Sequence, residues 1–144
     1  MASIHSFPIH GLKRCRQLFA EAENAVSSRQ WDVAYACFAL FKEAIGHRFS
    51  MEEEILFPAF EEIPGARETP AAAMRQEHDQ MRVELDHLAK CLALKEQDLY
   101  LGHSEKLNFL MQRHINKEKT AFHVRADNVL SRKQATLFMP RTSG

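Results

Sequence analysis

Apolar residues recur every three or four positions in four long stretches of the chain, the spacing of one face of an α-helix. The first stretch runs from about Pro8 to Val26, with Leu12, Cys15, Phe19, Ala22 and Val26 on one stripe. Pro8 suits a first helical turn, where its missing N–H costs nothing. Ser27-Ser28-Arg29-Gln30 breaks the pattern. The second stretch runs from Trp31 to about Glu62, with the stripe Trp31, Ala34, Phe38, Phe41, Ile45, Arg48, Glu52, Ile55 and Ala59, ending in Ile63-Pro64-Gly65-Ala66. The third opens on Thr69-Pro70, an N-cap followed by proline, and reaches about Lys95 through Met74, His78, Met81, Leu85, Leu88 and Leu92. The fourth covers about Leu99 to Arg125, with Leu107, Leu110, His114, Glu118, Ala121 and Arg125 inward. Ser131 and Gln134 resemble a capping box and predict a short C-terminal helix over about 131–139. Four long helices joined by short breaks predict an all-α, up-down-up-down four-helix bundle over about 8–126.

Composition narrows this picture. At 144 residues the chain has the size of one domain, so 1–144 is read as a single unit. Lys and Arg together number 19, as do Asp and Glu, which argues against nucleic-acid binding by general basic charge. No apolar run approaches the ~18 residues that span a bilayer, and the start lacks the charged and apolar regions of a secretory leader. Cys15, Cys37 and Cys91 are odd in number and far apart, which predicts reduced thiols and a cytoplasmic location. Eight histidines in a neutral chain call for a chemical explanation.

That explanation starts from the polar residues on apolar stripes. Arg48 and Glu52, His78, and His114 and Glu118 all fall on inward faces, where isolated charges are costly unless paired or metal-bound. His114 and Glu118 are four apart, ~40° from each other on one face. With His78 and Glu52 from neighbouring helices they make an imidazole and carboxylate donor set, suited to iron or manganese and open to zinc. Glu53 and Glu54 read as a solvated face, as do Arg82, Glu84, Asp86, Lys90 and Lys95. Trp31, Phe38 and Phe41 read as core, and Cys15 as a buried, inert thiol. There is no catalytic triad or phosphate loop, so binding or sensing is expected rather than catalysis.

Three segments carry a resemblance. His47-Arg-Phe-Ser-Met-Glu52-Glu53-Glu54-Ile-Leu-Phe-Pro58, Glu77-His78-Asp79-Gln80-Met81-Arg82 and Leu110-Met111-Gln112-Arg113-His114-Ile-Asn-Lys-Glu118 resemble the signatures of hemerythrin-like (HHE cation-binding) domains. The resemblance spans about Pro8 to Leu130. It implies a four-helix bundle around a non-haem di-iron centre that binds or senses a small ligand such as O2 or NO, with a homodimer as one assembly. It also implies one ligand His per helix and a Glu from the second and fourth.

Glu52, His78, His114 and Glu118 match that pattern in register. The first two helices depart from it. Four residues before Glu52 stands Arg48, while His47 lies ~140° round a regular helix from Glu52. A π-bulge between His47 and Glu52 would restore a common face. On the first helix Leu12 stands where a ligand His is expected, with His10 two residues earlier. Two readings follow. In one, His10 and His47 shift inward and complete a di-iron site. In the other, Arg48 pairs with Glu52 and Glu118, Leu12 fills the missing imidazole's space, and the fold holds one metal ion or none and acts as a binding or scaffold protein. His5, His87, His103 and His123 stay outside both readings.

Overall fold

The computed structural model describes residues 7–62 and 70–121. Its elements are α1 (Phe7–Ser27), α2 (Trp31–Met51), a π turn (Glu52–Leu56), α3 (Phe57–Glu61), α4 (Pro70–Ala93) and α5 (Gln97–Ala121). There is no strand among the described residues. Helix α2, the π turn and α3 follow one another without a break, so the chain forms the four rods of an all-α bundle. Helix α1 packs along α2, α4 along α5, and α1 with α5 and α2 with α4 close the ring. The expected C-terminal helix over 131–139, the Thr69 cap and the 63–66 turn lie outside the described residues.

The stripes predict the core well until Glu52. Cys15, Phe19, Ala22 and Val26 of α1 are buried, as are Ala34, Phe38, Phe41 and Ile45 of α2. From α4, Met81, Leu85, Leu88 and Leu92 join the same apolar cluster, and Leu107 comes from α5. Phe41 sits between Phe19 and Phe38, with centroids at 5.2 and 6.4 Å. Such tilted pairs add to the area they bury.

Beyond Glu52 the register changes. Ile55, expected inward, is 55% exposed, while Leu56, Phe57 and Phe60 are buried. The cause is one extra residue in the turn: the Phe57 N–H donates to the Glu52 carbonyl, five residues back. Pro58 accounts for the wide turn. It has no N–H for the carbonyl four residues before it, and its ring crowds that carbonyl.

Both hairpin loops end their helices the same way. Arg29 and Lys95 adopt left-handed backbone, with φ of 56° and 53°. The following N–H reaches back five residues, Gln30 to Ala25 at 2.8 Å and Glu96 to Cys91 at 2.9 Å. These are Schellman closures built on long side chains where glycine is usual. The Gln97 side-chain amide donates to the Val26 and Ser27 carbonyls at 3.0 Å, tying the start of α5 to the end of α1. It satisfies carbonyls that the end of α1 leaves open.

Left-handed backbone costs a residue with a Cβ ~1–2 kcal/mol. Lys95→Gly is therefore expected to stabilise the protein by about 1 kcal/mol in urea unfolding. A loss of stability would show that the exposed Lys95 side chain contributes more than its backbone costs.

Candidate metal centre

At one level of the bundle, four helical rods each turn a side chain or close backbone toward a single polar cluster. Glu52 opens the π turn and is almost fully buried, as are His78 on α4 and His114 and Glu118 on α5. Arg48, one turn before Glu52, is buried with them. Helix α1 contributes the apolar Leu12 and the close approach of Gly11, whose added Cβ would stand 3.6 Å from Arg48 Nη1.

The two imidazoles converge. His78 Nε2 lies 2.7 Å and His114 Nε2 2.9 Å from the same oxygen, Glu52 Oε1. Their other ring nitrogens face carboxylates too. His78 Nδ1 is 2.5 Å from Glu53 Oε2, and His114 Nδ1 is 2.9 Å from Glu77 Oε1. A carboxylate behind the ring fixes an imidazole's tautomer and raises its basicity as a ligand. The rings are also held in place. Phe49 stacks on His78 at 4.1 Å, and Phe57 lies 5.1 Å away.

Arg48 spans the remaining gap. Its Nε lies 3.0 Å from Glu52 Oε2, and its Nη2 donates to Glu118 Oε1 at 2.5 Å. One guanidinium thus bridges two buried carboxylates from different helices. Beside it is a cavity of about 20 Å³, room for roughly one water. Leu12, Ile45, Met81, Met111 and Ile115 give it apolar walls, with Arg48 and His114 at the polar end.

The electrostatics follow from this crowding. Burial alone would raise Glu52, but hydrogen bonds from His114 and His78 outweigh it and hold the carboxyl well below its usual range. Glu77 and Glu53 are also lowered against their burial, Glu77 by His114 and Lys117, Glu53 by His78 and Arg82. Burial disfavours a charged His114, yet Glu118, Glu52 and Glu77 together raise it to about 11. Glu118 is pushed up by burial and by the neighbouring Glu52 carboxylate.

Glu52, His78 and His114 bring one donor atom each to within 4.8 Å of one another. Glu52 Oε2 and Glu118 Oε2 have ion-pair neighbours but accept no well-formed hydrogen bond. Buried carboxylate oxygens in this state are suited to a cation. The family model of the hemerythrin HHE cation-binding domain matches residues 13–126.

The chain belongs to the hemerythrin HHE family. No match came from the curated proteins or from the solved structures. Family membership and the buried donor cluster make this a cation-binding domain.

One expectation for a hemerythrin ligand set does not fit this geometry. His47 is exposed on α2 and takes no part in the cluster. A π turn does occur, but it starts at Glu52, beyond the His47–Glu52 interval, and so leaves His47 on the outer face. The His10 side chain lies outside the described residues. Leu12 is half-buried against the cavity, where it offers no donor. The donors present fit one metal ion held by Glu52, His78 and His114. The space between Glu52 and Glu118 is taken by Arg48.

Two functional side chains escaped the sequence pattern. Glu77 is buried behind His114, and Glu53 backs His78 while pairing with Arg82 at 2.9 Å. Glu53 lies in the π turn and its partners lie on α4; Glu77 lies on α4 and its partners His114 and Lys117 lie on α5. Cys15 is buried, and burial raises its thiol pKa, the opposite of an activated thiolate. No described helix is long and apolar enough to cross a membrane.

The raised pKa of His114 has a stability consequence. Above about 6.5 an unfolded histidine is neutral, while the folded His114 keeps its proton up to about 11. Its contribution is complete below the lower value and is lost as pH climbs through the upper one. The metal-free protein should therefore lose stability steadily across that window, and His114→Ala should flatten the slope. Urea unfolding over the same window checks this. An unchanged slope in the variant would contradict it.

Proposed function

We propose that this hemerythrin-family domain binds one metal ion, through Glu52, His78 and His114, and that Arg48 takes the place of a second cation. The observation that carries the reading is the guanidinium bridge from Glu52 to Glu118. A dinuclear centre needs cations to neutralise its shared carboxylates. Here a permanently charged side chain does so, in a fork geometry that matches carboxylates. Leu12 supports the same reading, because it places an apolar side chain at the α1 position where the resemblance expects a ligand His. Two imidazoles and one carboxylate suit ferrous iron, with zinc and manganese as competitors.

Such a site retains open coordination positions. A metal ion there would supply an attachment point for a small ligand such as O2 or NO, and the apolar cavity beside it favours a diatomic molecule over a charged one. The role is binding or sensing. The protein's own residues do the rest: Glu53 and Glu77 orient the imidazoles, Phe49 and Phe57 hold His78 and exclude water, and Arg48 keeps Glu118 from competing as a ligand.

Anaerobic titration of the untagged chain with ferrous iron tests this. One iron per chain should depend on His78, vanishing in His78→Gln. The His78-dependent count should rise to two in Leu12→His combined with Arg48→His. Two such irons in the wild type, with oxo-bridge absorption in the near ultraviolet after exposure to air, would overturn the reading. So would none.

A further inference from the structure

A second polar cluster lies between α4 and α5, away from the first. Glu84, expected to be solvated, has a side chain only 5% exposed. His103 Nδ1 stands 2.8 Å from Glu84 Oε1. His87, three residues after Glu84 on α4, stacks on His103 across the helix interface, with centroids 4.4 Å apart and planes 14° from parallel. One donor atom from each of the three lies within 4.8 Å of the others. The separation from the first centre is on the order of 9 Å along α4 from His78 and 16 Å along α5 from His114.

We propose that Glu84, His87 and His103 form a second metal site, for a divalent transition ion of zinc type. A buried carboxylate needs compensation. The fold supplies one imidazole contact and the Lys106 ammonium, 4.0 Å from Glu84 Oε2 on a side chain 67% exposed. That long, solvated lysine is a weak counter-charge which a metal ion can displace. Two imidazoles and a carboxylate are a zinc donor set, with water in the fourth position. The part-exposed edges of His87 and His103 give an ion a route from solvent. Tetrahedral donors about 2.1 Å from the metal stand roughly 3.4 Å apart. The donor atoms already lie within 4.8 Å of one another, so small rotations of two part-exposed rings would bring them to that spacing. The bound ion would clamp α4 to α5 at mid-length, independently of the first centre.

The test uses the untagged full chain, stripped of metal and titrated with Zn2+ against a chromophoric chelator. The wild type should take one more zinc ion than His87→Gln and one more than His103→Asn, with helicity unchanged by circular dichroism. The His78→Gln variant should keep that ion, so failure of the first centre and failure of this one are told apart. In the wild type, the ring-proton resonances of His87 and His103 should shift saturably with zinc. Should either variant lose its fold, those resonances alone decide. Equal zinc uptake by wild type and variants, or unmoved His87 and His103 resonances, would overturn the proposal.

Discussion

The Arg48 guanidinium, held between Glu52 and Glu118, is the interaction on which the rest of the centre depends. Both carboxylates are buried, and without a cation between them their charges would oppose each other in a low-dielectric interior. Arg48 joins the second rod of the bundle to the fourth and sets the distance between them. It also leaves Glu52 Oε1 facing the two imidazoles, and so divides the centre in two. On one side a built-in cation is satisfied by two glutamates. On the other, Glu52, His78 and His114 converge as a ligand set.

This division lets the centre's own side chains balance one another's charge. His114 is charged and faces three carboxylates, and Glu77 and Glu53 take up the ring nitrogens that point outward. A metal ion bound at the convergent point, as proposed, would displace the proton on His114. The apolar cluster from α1, α2, α4 and α5 carries the bundle around this polar level.

The bundle and the inward register of Glu52, His78, His114 and Glu118 were legible from 3.6-residue periodicity alone. So was the inward Arg48, because it lies exactly on an apolar stripe one turn before Glu52. Legibility ended at the π turn. An extra residue is invisible to a fixed period, so the stripe puts Ile55 inward where the fold buries Leu56 and Phe57. A bulge was a correct kind of irregularity for this helix, but its place after Glu52 leaves His47 outside. Glu53, Glu77 and Glu84 are not legible in the sequence for another reason. Each is held by partners on a different helix, with Glu77 and Glu84 buried there and Glu53 partly covered, and a single stripe carries no record of its neighbours.

In the proposed centre one side chain, Arg48, does the work of a second metal ion. X-ray absorption at the iron edge of the loaded wild-type chain addresses it most directly. A single shell of nitrogen and oxygen neighbours with no metal–metal scattering is the expected result. A metal–metal vector of about 3.5–4 Å, the spacing of a two-metal site, would contradict it.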